Sequence, residues 1–173
     1  MVFEHAQSAK ILIAAGNFTS AVSLVRLQFE ALVRAMWLLY SASDTAVAKL
    51  MSELTYESSK RAEKLPMMSE MLIKLESKAP EQAMELLKEF KEYSWKPLSS
   101  YVHGGIHAMQ RHGKGYPSDL LEQVLKASNG VLLMTGMLLV ILSGDSRYSG
   151  KIPRVQIKYS DCLPPIKLPH SVS

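Results

Sequence analysis

Three of the five histidines of this chain fall within ten residues of one another in SSYVHGGIHAMQRH, Ser99 to His112, around a Gly-Gly pair. Such a cluster suits proton transfer near neutral pH, metal ligation or contact with an anion. The charges around it bear on the choice. From Tyr93 to Ser118 there is no Asp or Glu, while Lys96, Arg111, Lys114 and the histidines His103, His107 and His112 are interleaved with Tyr93, Trp95, Tyr101 and Tyr116. That composition suits a phosphate with a base stacked beside it. Ser99, His103, His107 and Arg111 are spaced by four, so they share a face on any helix that survives the two glycines. The plainer alternative is that one or two of these histidines are hydrogen-bonded in the core and the others are solvated.

A second group lies far upstream. Ser23, Arg26, Glu30 and Arg34 follow one another at spacings of three, four and four, a polar stripe on a helix that is otherwise apolar nearly all round. It reads either as a solvated seam of Arg-Glu-Arg pairs or as charges kept because something polar meets them inside the bundle. The hypothesis that joins the two groups has the stripe facing His103 across the bundle or a dimer seam. Glu30 then orients the imidazole and an arginine holds the phosphate.

Other chemistries fit less well. His103 and His107 have the i, i+4 spacing of a zinc site, with Glu30 as a conceivable third ligand, but Gly104 occupies the place of the glutamate in H-E-x-x-H. No metal is expected. No G-x-S-x-G turn is present, and GGIH and GKGYP lack the spacing of a P-loop or a dinucleotide fingerprint, so no cofactor is expected either.

The elements that must position these residues are helical. Apolar residues recur at helical spacing nearly everywhere up to Leu142, which makes the chain all-α. A first helix over Val2 to Ala15 stops at Gly16-Asn17, and a long second one runs from Thr19 to Ala42. A third, capped by Ser43 or Asp44, extends through AVAKLMSELTYESSKRAEK to Pro66, and a shorter fourth covers MMSEMLIKLES. Pro80 is placed as the first residue of a fifth helix, which Pro97 interrupts; the histidine segment is a sixth, bent or broken piece. One long helix from Pro117 to Ser143 closes the bundle. Its run VLLMTGMLLVIL falls short of the roughly 20 consecutive apolar residues of a membrane span, and Gly130 and Gly136 let a neighbour approach closely, part of that surface belonging to a second subunit. Beyond Asp145 the sequence is proline-rich with a β-like patch, VQIKY. The expected organisation is therefore a bundle domain over residues 1–144 and an extended, basic, proline-rich arm over 145–173, lying on the bundle or crossing to a partner chain.

Composition agrees with a globular protein: 173 residues, 47% hydrophobic, 21% charged. The net charge of +4 is concentrated in the arm, where Arg147, Lys151, Arg154, Lys158 and Lys167 face only Asp145 and Asp161. The body is nearly neutral, so a whole-protein basic field is not indicated. With Cys162 as the single cysteine no intrachain disulfide forms, and the start MVFEHAQSAKILIAAG has no secretory pattern; a cytoplasmic protein without a membrane span is expected.

The long early helix carrying RLQFEALVRAMWLLYSAS, the later SSYVHGGIH and the apolar closing helix together resemble a group of bacterial proteins of unknown function, themselves similar to distant members of the HEPN superfamily. That resemblance implies a dimeric up-and-down helical bundle of the toxin-antitoxin or abortive-infection type. It also implies a metal-independent RNase site assembled where two subunits meet, marked by an arginine followed four to six residues later by a histidine. Only His103 maps onto this motif. No arginine precedes it at that interval, and the nearest equivalent is Lys96, separated from it by six residues. The expected function is a defence or stress-response protein that binds RNA or nucleotide, with His103, Lys96, Arg26 and Glu30 as catalytic candidates and Arg34, Tyr101, His107 and Arg111 as ligand-binding ones. A cognate protein partner is also conceivable. The competing expectation is a non-catalytic helical interaction module whose histidines are structural.

Overall fold

The computed structural model describes residues 1–62 and 65–165, the side chains of residues 61 and 62 excepted. Among them no strand occurs: the protein is all-helical. Helix α1 (Val2–Ala14) buries Val2, Ala6 and Ala9, one stripe at spacings of four and three. It ends at Gly16, whose φ of +78° allows Asn17 N–H to donate to Leu12 O at 2.8 Å and Gly16 N–H to Ile13 O at 3.1 Å. These two bonds satisfy carbonyls that the helix end would otherwise leave open.

Helix α2 (Phe18–Tyr40) is the axis of the fold. It buries Ala21, Val22, Val25, Gln28, Phe29, Leu32, Val33, Met36 and Trp37, and it packs on α1, on α5 (Met68–Leu75), on α6 (Glu81–Val102) and on α8 (Ser118–Ser143). At 1.5 Å per residue it is roughly 34 Å long, enough to run the length of the core. Phe29 stacks on Phe90 of α6, with centroids 4.2 Å apart. Gln28 is fully buried, and its amide exchanges two bonds with α8: Nε2 donates to Ser128 O at 2.9 Å and Ser128 Oγ donates to Oε1 at 2.8 Å. A buried amide is tolerated only when matched in this way.

The expected third helix is two short ones, α3 (Asp44–Met51) and α4 (Tyr56–Ala62). The hydroxyls between them outcompete the helix: Thr55 N–H donates to Ser58 Oγ at 2.8 Å, Ser58 N–H to Thr55 Oγ1 at 3.1 Å, and Ser58 Oγ to Glu53 O at 2.7 Å. Glu63 and Lys64 of that expected helix lie outside the described residues. Pro80 precedes α6 as its N-cap rather than opening it, and α6 does not stop at Pro97 but runs through it to Val102. Proline removes one backbone donor from the ladder; the packing of Trp95, Leu98 and Tyr101 against the core on either side carries the helix past it.

Helix α7 (Ile106–Lys114) follows, and then α8, which buries Val124, Ser128, Val131, Thr135 and Leu138, a single stripe at spacings of four and three. α8 is long and apolar enough to cross a membrane, with a mean hydropathy of 1.8 over its most apolar stretch. Its other face remains open, with Met137, Leu139, Ile141 and Leu142 all exposed.

The arm is not extended in its described part. After a 3-10 turn at Ser146–Tyr148, α9 (Lys151–Lys158) takes up four of the five residues of the β-like patch, and a second 3-10 turn covers Ser160–Cys162. Pro153 stands in the first turn of α9, where a backbone N–H has no helical acceptor to lose. Ile152 and Gln156, four apart, are half-buried, which gives the helix its seat. An added Cβ on Gly136 would lie 2.9 Å from Ile152 Cδ1, and one on Gly130 would lie 3.1 Å from Pro164 Cγ. The close neighbour those glycines admit is thus the chain's own C-terminal segment, tied down further by Asn129 Nδ2 donating to Cys162 O at 3.0 Å. Residues 166–173 of the expected arm lie outside the described residues.

Candidate functional site

The two sequence groups meet through one side chain. Arg26 leaves α2 toward α6, and its guanidinium lies over the Trp95 ring, 4.1 Å from the centroid. Its Nε and Nη2 both reach Glu30 Oε1 at 2.9 Å, one turn on, while Nη1 stands 3.3 Å from His103 Nε2. Arginine only donates, so in this contact the ring nitrogen facing it accepts. The Arg26 side chain is 14% exposed and that of Glu30 28%, whereas His103 is open to solvent. The result is a cation held on an indole by one carboxylate, with a solvent-exposed imidazole against its far edge.

His103 is placed by the end of α6. It is the C-cap, and Gly104 after it adopts φ +63°, so that Gly105 N–H returns to Ser100 O at 2.7 Å and the chain turns sharply. Ser100 Oγ then accepts from His107 N–H at 3.0 Å at the start of α7. A Cβ on Gly105 would lie 2.6 Å from that Oγ. The Gly-Gly pair therefore breaks the helix, and Ser99, His103, His107 and Arg111 do not share one continuous helix face. Ser99 turns back on its own helix, Oγ donating to Trp95 O at 2.7 Å, as Ser23 does to Thr19 O at 2.9 Å.

Of the expected site residues, the fold brings together Arg26, Glu30 and His103. It does not gather the rest around them. Glu30 holds Arg26 and not the imidazole, so the imidazole is oriented by the arginine. Arg34 is exposed two turns further along α2, roughly 12 Å away along the axis, and Lys96 is exposed two turns before His103, roughly 10 Å away. His107 is exposed on α7. Tyr101 faces inward instead of toward a ligand: it is buried among Val22, Val25, Leu98, Ala108 and Val124, with its ring 6.3 Å from that of Tyr116. Burial and the neighbouring Tyr116 push its hydroxyl above the usual phenol range, against the opposing charge of Arg111. Tyr116 in turn bonds Thr19 Oγ1 at 2.8 Å and packs on Phe18, closing the base of the bundle.

Among the described residues no three His, Cys, Asp or Glu side chains stand close enough to hold a metal. At the candidate zinc position the guanidinium of Arg26 occupies the space between Glu30 and His103, and a cation there opposes a second one. Two features escaped sequence reading. Trp95 as the platform under Arg26 had a compositional hint in the aromatic interleaving; the Gln28–Ser128 lock had none, since a glutamine on an apolar face carries no local mark of its partner a hundred residues away.

An all-helical chain in which arginine, carboxylate, indole and imidazole converge from two helices is the class that fold and site define. Residues 1–165 match the model of DUF6988, a family of unknown function, and the chain belongs to that family. No curated protein and no solved structure matches it.

Proposed function

We propose that the protein is a cytoplasmic, HEPN-like defence or stress-response protein of a bacterium that binds RNA or a nucleotide at the Arg26–His103 face. The single observation behind this reading is the contact of Arg26 with the solvent-exposed His103 above Trp95. A phosphate oxygen that takes Arg26 Nη1 frees His103 Nε2, and the indole edge of Trp95 offers surface for a base. In RNA the released Nε2 takes the 2′-OH proton as the 2′-oxygen bonds to phosphorus, and the P–O5′ bond breaks with a proton from water on the 5′-oxygen, giving a 2′,3′-cyclic phosphate and a 5′-hydroxyl while the imidazolium returns its proton to the hydroxide. Cleavage on this scheme needs no metal. Lys96, on the same face of α6, adds charge along the path of the strand without touching the imidazole.

The open face of α8 favours a second component, a homodimer, because exposed Leu139, Ile141 and Leu142 form apolar surface of the kind that subunits cover. It also keeps alive the reading as a non-catalytic interaction module with a cognate protein partner.

The test is cleavage of a mixed single-stranded and structured RNA by the purified protein, with and without EDTA, beside His103→Ala. Cleavage that survives EDTA and disappears in the variant is the expected result. A well-folded protein that neither cleaves nor binds RNA refutes the nucleic-acid reading and leaves the interaction module.

A further inference from the structure

A separate cleft of about 520 Å³ lies at the other end of α2, where the chain passes into α3 and the end of α5 comes alongside. Trp37 in its wall is eleven residues from Arg26, roughly 16 Å along the helix, so the two regions are distinct. Among the described residues three lysines line it, Lys49, Lys74 and Lys78, and no acidic residue does. None of the three has a carboxylate partner among the described residues. Hydroxyls of Ser43, Thr45 and Ser77 add donors. Trp37 is 2% exposed, and its indole N–H is buried with no hydrogen-bond acceptor among the described residues. A buried donor without an acceptor is costly and uncommon, and here it belongs to a side chain that lines the cleft.

We infer that this cleft is a binding site for a small phosphoanion, a phosphate monoester or a diphosphate. Among the described residues every charged one on its lining is positive, and the serine and threonine hydroxyls beside them add donors for an anion's oxygens. The volume is that of a site for a small molecule. Leu65 and Pro66 give an apolar wall for the organic part of such a ligand. Lys74 has a second duty, since it stands in the last turn of α5 where a cation offsets the helix dipole. Lys49 stands likewise in the last turn of α3, and Lys78 follows the end of α5, so the three cations meet where two helix ends come together.

The test is titration of the full chain with pyrophosphate at low ionic strength, followed by calorimetry and, in Trp95→Phe, by the emission of Trp37 as the sole remaining tryptophan. Saturable binding accompanied by a change in Trp37 emission is expected. The double variant Lys49→Gln/Lys74→Gln, checked for intact helicity, should show the binding reported by Trp37 weakened at least tenfold, about 1.4 kcal/mol, while Lys10→Gln, at an exposed lysine of α1 outside the cleft, leaves it unchanged. Absence of saturable binding overturns the inference. So does binding that survives undiminished in the lysine variant, or binding that leaves Trp37 emission unaltered.

Discussion

Gly105→Ala should damage the histidine turn through one contact. Gly105 has φ −77°, an ordinary conformation for alanine, so the backbone itself carries no objection. The added Cβ, however, lies 2.6 Å from Ser100 Oγ and 3.3 Å from Ser100 Cα and Cβ. Ser100 must leave its rotamer, at about 0.5–1.5 kcal/mol, and its bond to His107 N–H is lost, at about 1 kcal/mol by analogy with an N-cap. The reduced freedom of the unfolded chain returns about 0.4–1 kcal/mol. The net destabilisation is about 0.5–2 kcal/mol, or about 1–8 °C in Tm for a chain of this size. Thermal and urea unfolding followed by circular dichroism measure it. Ser100→Ala alone should cost about 1 kcal/mol, for the lost bond, and adding Gly105→Ala to it should then cost under about 0.5 kcal/mol because the clashing oxygen is gone. Gly104→Ala, forced to φ +63°, should by contrast add its cost of about 1–2 kcal/mol independently of Ser100. A Gly105→Ala protein as stable as wild type, or strict additivity with Ser100→Ala, would refute the reasoning.

Three other outcomes are expected. Ser128→Ala strands the buried Gln28 Oε1 and should cost about 1–3 kcal/mol, whereas Gln28→Leu/Ser128→Ala should recover part of that loss in a double-mutant cycle of urea midpoints. Glu30→Gln removes the charge that occupies Arg26, so binding of a fluorescent single-stranded RNA, read by polarisation at fixed salt, should tighten; weaker binding would speak against Arg26 as the phosphate contact. The raised hydroxyl of Tyr101 means that the folded state holds its proton longer than the unfolded one. Its contribution is complete below the unfolded phenol value near pH 10 and declines as pH rises beyond that toward the folded value. Tyr101→Phe should flatten the alkaline loss of stability, and absorbance titration should show a late-ionising tyrosine in the parent.

What could be read from the sequence was what local chemistry decides. The ends of α1 and α8 follow from Gly16 and Gly144, each with a positive φ that lets the last carbonyls be satisfied, and those glycines mark the termini in the sequence as plainly as in the structure. The stripe of Arg26 and Glu30 follows from helical spacing alone, and its contact with His103 is a tertiary event that the acid-free segment hinted at without specifying. Pro97 misled because its local cost is real but smaller than the burial of the aromatic residues flanking it. VQIKY misled because β-branched residues favour strands only when a sheet exists to receive them, and here the groove at Gly136 receives a helix. The hydroxyls of Thr55 and Ser58 ended a helix whose apolar period still continued, a competition that periodicity does not register.

The lock between Gln28 and Ser128 also bears on how the protein is made. Helices α1 and α2 are adjacent in sequence and can pair as soon as both exist, but the face of α2 that receives α8 waits for a hundred more residues and for a large loop to close, a slow kind of contact to form. During that interval the nascent chain carries an apolar stripe with an amide in its middle. An apolar partner that covered this stripe without matching the amide would leave it buried and unsatisfied, at about 1–3 kcal/mol. The closing of this face of α2 is thus tied to the arrival of α8, the helix that satisfies both ends of the Gln28 amide.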